Sequence, residues 1–178
     1  LIKVKSTWEY SQVFSNTPST DGSYRLDIQY GKVMLASGGL TGNLHNNYFK
    51  GGVHVFENEK WNNINATSQA NYPLEMQDVI SVAINPNDIE QMAFGSYSVG
   101  GMSIMNGGEI TESFNEFNSE LESQIGNNGS HIIPDMAYDT DGNLWVVNAG
   151  VNPLKMLSKE VVMAFLLTVG DKRKSSKS

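Results

Sequence analysis

Residues 114–150, "FNEFNSELESQIGNNGSHIIPDMAYDTDGNLWVVNAG", read as a polar loop followed by a strand, a turn and a second strand. The turn, Asp139-Thr140-Asp141-Gly142-Asn143, joins a glycine that tolerates positive φ to side chains that can bond their own backbone, which is how a chain reverses between strands. The second strand, from Leu144, runs out into small residues. This grammar occurs twice earlier, in YRLDIQYGKVMLASGG (Tyr24 to Gly39) and VISVAINPNDIEQMAFGS (Val79 to Ser96), and it is the repetition that decides the fold.

Aligning Met34, Ala93 and Trp145 sets the copies 59 and 52 residues apart. After each of the first two comes a further hairpin, GGVHVFENEKWNNI (Gly51 to Ile64) and GGMSIMNGGEITESF (Gly101 to Phe114), opening on Gly-Gly and reversing at residues 57–60 and 106–109. Two hairpins per period make four strands. A period of this size suits a propeller blade of about 40 to 50 residues enlarged by loop insertions. Ala36, Gly95 and Val147 fall where strands would crowd around a narrow axis. Helix signals are scarce as far as Lys159, so the fold class is all-β: about three four-stranded antiparallel blades, near residues 24–64, 79–114 and 133–159, in a partial β-propeller over residues 1–159. Three blades fall short of the four or so at which propellers close. The chain is therefore expected to be a fragment, an open arc or part of an oligomeric ring. Residues 160–178 form an atypical tail whose loss of pattern and reversal of charge suggest truncation or a shifted reading frame near Lys159.

The 178 residues hold 12 Lys and Arg against 19 Asp and Glu, a net charge of −7. The last eight, DKRKSSKS, carry +3, leaving −10 on residues 1–170, and such a body repels nucleic acid. With no cysteine there is no disulfide framework, thiolate metal site or cysteine nucleophile. The opening LIKVKSTWEY lacks the features of a signal peptide, and the longest apolar run, Val161 to Val169, is too short to span a bilayer as a helix. A soluble protein without membrane insertion is expected.

Catalytic chemistry finds no foothold in the pattern. His45, His54 and His131 are far apart; His54 alternates with Val53 and Val55 and reads as a strand residue facing water, whereas His45 and His131 read as loop residues. Asp139, Asp141 and Asn143 lack the later ligands of a calcium loop. The acids from Glu109 to Glu122 lie along a polar linker that cannot fix two carboxylates at a glycosidase's separation. No Gly-x-Ser-x-Gly elbow occurs, and no P-loop lysine follows the Gly-Gly pairs. Catalytic residues, metal and cofactor are accordingly none, and the expectation is a non-enzyme. Trp61 and Trp145, read as equivalent strand positions, are expected to pack between blades rather than stack on sugars. The insertion LTGNLHNNYFK (Leu40 to Lys50) supplies His45, Asn46, Asn47 and Tyr48, groups that bond and stack without fixed charge, as carbohydrate recognition needs; Tyr97 is assigned to the matching loop of the second repeat. These five are the candidate ligand-binding residues, against the alternative of a surface loop with no partner.

The run "FNEFNSEL" followed by "IPDMAYDTDGNLWVVNAG" resembles the two-component-regulator propeller repeats of Bacteroidetes, with their aromatic-Asn-Ser-Leu linker and Asp-Gly-Asn-Leu-Trp hairpin. Across Tyr24 to Lys159 the pattern KVMLASGG, GGVHVFENEKW, SVAINPND and AFGSYSVGGMSIMNGGEI is more closely similar to the propeller of the PorZ-like accessory proteins of the type IX secretion system. That resemblance implies an exported protein at the outer-membrane surface or in the periplasm of a Gram-negative bacterium. It further implies secretion-system proteins or a bacterial glycan as partners, and a role in cargo attachment involving anionic lipopolysaccharide. The alternative is the periplasmic sensor propeller of a hybrid two-component regulator that binds oligosaccharides. An anionic lipopolysaccharide would meet a repulsive body and would need a local basic spot or a bridging cation.

Overall fold

The computed structural model describes residues 2–4, 10–12, 16–127, 129–151 and 155–158; the atypical tail, residues 160–178, lies outside them. Every described element is a strand, and all the pairings are antiparallel. A short pair, β1 (Ile2–Val4) and β2 (Tyr10–Gln12), precedes a four-stranded meander of β3 (Arg25–Gln29), β4 (Lys32–Ala36), β5 (Val53–Glu57) and β6 (Lys60–Ile64). A second meander follows in β7 (Val79–Asn85), β8 (Asp88–Ser98), β9 (Met102–Asn106) and β10 (Glu109–Phe114), and a third in β11 (His131–Tyr138), β12 (Leu144–Ala149) and β13 (Lys155–Ser158).

The hairpin turns follow from local chemistry. Tyr30-Gly31, Asn58-Glu59 and Gly107-Gly108 each supply two consecutive residues with positive φ, the two-residue turn whose twist matches that of the flanking strands. Pro134 has no N–H to give the ladder, and the register between β11 and β12 shifts where it stands, between Ile132 and Asp135. One connection was not anticipated from the repeat. β8 runs on past its own meander, and its Tyr97 and Ser98 pair with Ile132 and His131 of β11, so the second and third meanders share one seven-stranded sheet.

Alternation along the strands divides the core in two. Val82, Ile84, Met92, Phe94 and Met105 of the second meander face Met34, Ala36, Val53, Val55 and Ile64 of the first. Its opposite face, with Ala83, Ala93, Met102 and Ile104, packs on Ile133, Met136, Leu144 and Val146 of the third. β7 is consequently buried at all seven positions, as a strand covered on both sides must be. Its edge is tied to each neighbour: Asp27 Oδ2 accepts from Ile84 N at 2.7 Å, and Ser81 Oγ donates to Ile133 O at 2.6 Å. Arg25 and Asp135, on the first strands of the first and third meanders, form an ion pair at 2.8 Å.

The ladders place Met34, Ala93 and Trp145 on the second strand of successive meanders, each paired back to the first strand at Asp27, Ala83 and Ala137. In that register Leu26, Ile28, Val33 and Leu35 correspond to the buried Val82, Ile84, Met92 and Phe94, yet Leu26 and Ile28 are 56% and 53% exposed. Trp145, the counterpart of fully buried Met34 and Ala93, is 42% exposed. Trp61 and Trp145 are not equivalent, because Trp61 lies on the fourth strand of its meander and pairs with Phe56, its ring 5.2 Å from that partner's. The outer sheets thus expose apolar side chains at positions that the middle one buries.

His54 and His131 both depart from their sequence readings. His54 is fully buried rather than facing water, because residues 16–20 lie across that half of the sheet: Ser19 N and His54 Nδ1 both donate to Asn63 Oδ1, and Thr20 Oγ1 donates to His54 Nε2 at 3.0 Å. His131 is not a loop residue but the first of β11, 1% exposed, its Nε2 accepting from Glu116 N. Burial lowers both pKa values from 6.5, against the opposing pull of Asn63 on His54 and of Glu116 on His131. The unfolded chain therefore takes up protons that the folded chain refuses. Stability measured by urea unfolding is expected to be level above pH 6.5 and to fall below it, by up to about 1.4 kcal/mol per pH unit for each histidine. His54→Gln is expected to remove its share of that slope; an unchanged slope would place the acid sensitivity elsewhere.

Candidate functional site

The loop singled out in the sequence is built around one carboxylate. Asp78, just before β7, has no exposed surface, and its Oδ2 accepts from Asn47 N at 2.8 Å and Tyr48 N at 2.7 Å while Oδ1 accepts from Phe49 N at 3.1 Å. Its own N–H donates to Phe49 O, and its carbonyl accepts from Tyr97 N, so backbone and side chain together lock the loop to the start of β7 and the end of β8. Burial raises the Asp78 pKa above the ordinary carboxylate value, with the three N–H groups pulling the other way. Thr41 Oγ1 accepts from His45 N and closes the tip.

This clamp holds Tyr48 at φ 61°, a left-handed conformation costly for a bulky residue, and the residue is 69% exposed. Tyr48 and Asn46 line a cleft of about 180 Å³. Glu75, Gln77, Ser98, Val99, Asn127 and Ser130 complete its lining. Ser98 Oγ is committed to Gln77 N at 3.0 Å and to Ser96 Oγ, whereas Ser130 Oγ is buried without a hydrogen-bond partner.

The five residues proposed from sequence do not converge on one point. Asn46 and Tyr48 share the cleft; Asn47 lines a separate hollow with Asp21, Ser37 and Phe49; His45 is exposed at the loop tip. Tyr97 is not a loop residue. It lies inside β8, 6% exposed, and its hydroxyl donates to Gln124 Oε1, so the strand extension that joins the second and third meanders removes it from the surface. Ser98 and Val99, the next two residues, line the cleft instead. Asp78, Gln77 and Ser130 gave no sequence signal beyond lying next to strands.

A larger cleft, about 340 Å³, opens between the first two meanders at their hairpin ends. Lys32, 2% exposed, occupies it, and its ammonium meets Glu90 at 2.7 Å, Ile89 O at 3.0 Å and Glu57 at 3.1 Å. Burial works to lower the Lys32 pKa, and the two carboxylates outweigh it, so the net shift is upward. With all three of its protons engaged, Lys32 ties the two sheets together and offers no nucleophile. At the third meander, Asp139 accepts from Asp141 N, Asn143 N, Asn143 Nδ2 and Trp145 Nε1, which lowers its pKa to about 2 and makes it the organiser of a hairpin turn. Glu109 and Glu112 belong to β10 rather than to a linker. Among the described residues no group of three His, Asp or Glu side chains could hold a metal ion, and no helix is long and apolar enough to cross a membrane.

No family model and no curated protein matches the chain. Among solved structures it is similar to PorZ, an essential bacterial surface component of the type IX secretion system of Porphyromonas gingivalis from the human oral microbiome, with a TM-score of 0.71 and 21% identity. The match covers 86% of this chain and 20% of that one, so the chain spans about a fifth of the length of the structure it matches. At that identity the likeness is one of architecture, and the chain has a PorZ-like all-β fold.

Proposed function

We propose that the chain is an arc of a β-propeller that acts without catalysis as a scaffold or recognition module at a bacterial cell surface, in the service of type IX secretion, its rim loops contacting a glycan or partner protein. The observation that carries the reading is the register. Each meander repeats the last, the middle one is covered on both faces, and the outer ones expose Leu26, Ile28 and Trp145, whose counterparts in the middle are buried. A further sheet of the same kind fits those faces, which is how blades succeed one another around an axis. The likeness to PorZ supports both the architecture and the secretion setting. The non-enzymatic role is supported by the structural engagement of three buried ionisable groups: His54 is spent on Thr20 and Asn63, Lys32 on two carboxylates, and Asp78 on a loop. Deleting the gene in its host is expected to leave type IX cargo off the cell surface, with restoration by the intact gene. Unchanged display of cargo would overturn the secretion role.

A further inference from the structure

We propose that the cleft beside Tyr48 takes an uncharged pyranose, the ring lying on Tyr48 and its hydroxyls bonding Asn46, Gln77 and Asn127. The inference rests on the recognition reading above and narrows it to a ligand class.

Size comes first. At about 180 Å³ the cleft is smaller than the roughly 300 Å³ at which pockets for drug-sized ligands begin, and it suits one ring rather than an extended chain. Its chemistry is that of amides and hydroxyls, which both donate and accept and so match a polyol, beside two exposed less polar surfaces, Tyr48 and Val99. Tyr48 is not simply loose on the surface. A bulky residue is kept in a left-handed conformation by the bonds of its own N–H and its neighbours' to one buried carboxylate, so the backbone that carries the ring is set before any ligand arrives. Ser130, which also lines the cleft, has a buried Oγ without a partner, a hydroxyl left to be satisfied.

Charge selects among sugars. The lining holds one acidic side chain, Glu75, and no Lys, Arg or His. A phosphorylated sugar or a uronate would bring a second negative charge to the carboxylate with no cation to receive it. The cleft thus disfavours the anionic sugars that an acidic surface already repels.

Saturation-transfer NMR with methyl glycosides of glucose, mannose, galactose and N-acetylglucosamine, each beside its 6-phosphate or, where one exists, its uronate, tests the proposal. At least one neutral glycoside is expected to bind, with its anionic counterpart about tenfold weaker at low salt and the gap narrowing as salt is added. Glu75→Gln is expected to close much of that gap. Tyr48→Gly, which relieves the left-handed strain and so keeps the fold, is expected to weaken binding at least about tenfold without lowering the unfolding temperature. Tighter binding of the anionic sugar, or wild-type binding by Tyr48→Gly, would overturn this inference while leaving glycan recognition standing. No binding by any sugar, neutral or anionic, together with a blank glycan array, would remove the glycan part of the recognition reading as well.

Discussion

Asp78→Ala is expected to be the most damaging single substitution in the chain. It leaves the N–H groups of Asn47, Tyr48 and Phe49 facing a cavity in place of the carboxylate that receives all three. A buried donor without a partner costs about 1–3 kcal/mol, so the loss should reach about 4 kcal/mol even where one N–H finds water. It should be visible as a large drop in the urea midpoint. Asp78→Asn keeps one acceptor oxygen but turns an NH2 toward donors, and it should fall between the wild type and Asp78→Ala. Hydrogen exchange gives the local signature: amides 47, 48 and 49 should lose protection together while those of β9 keep theirs. Uniform loss across the chain would mean that Asp78 supports the whole fold rather than the loop.

Gly38→Ala should come next. A Cβ at Gly38 would lie 2.3 Å from Val79 O and 2.5 Å from Asp78 C, and both obstacles are backbone. Side-chain neighbours can rotate away; a strand start held by its own hydrogen bonds cannot, and Gly38 N itself donates to Val79 O at 2.8 Å. The added methyl must push the first meander off the second at this junction, at a cost of about 3 kcal/mol, the upper part of the range for overpacking. Gly31→Ala is the control. It sits in an open turn with nothing within 4 Å of the new methyl, so its cost is only that of a positive φ, about 1 kcal/mol. Gly38 has no positive φ, so a cost there no larger than at Gly31 would mean that the start of β7 gives way and the crowding is relieved.

The strands and turns were legible because alternation and turn chemistry are local. Tyr30-Gly31 and Gly107-Gly108 announce two-residue hairpins, and the spacing of Met34, Ala93 and Trp145 gives the register that the ladders show. Burial that depends on a neighbouring segment was not legible. His54 alternates like a solvent-facing residue and is buried only because residues 16–20 cross over it. Tyr97 reads as a loop residue by its match to the insertion of the first repeat, whereas β8 runs past the end of its own hairpin to pair with β11. Within the candidate site, the polar loop from Leu40 to Lys50 was recognisable by composition. Asp78, which organises it, stands 29 residues or more from the amides that it receives, and no local pattern marks an aspartate as buried.

The ion pair between Arg25 and Asp135 also fixes a global dimension. Sheets packed face to face lie about 10 Å apart, so the first and third of three flat, parallel layers would stand roughly 20 Å apart, beyond the joint reach of one arginine and one aspartate. Side chains from those two sheets nevertheless meet at 2.8 Å. The layers must therefore converge toward their first strands, like wedges rather than slabs, and the pair is a chord drawn across two of them.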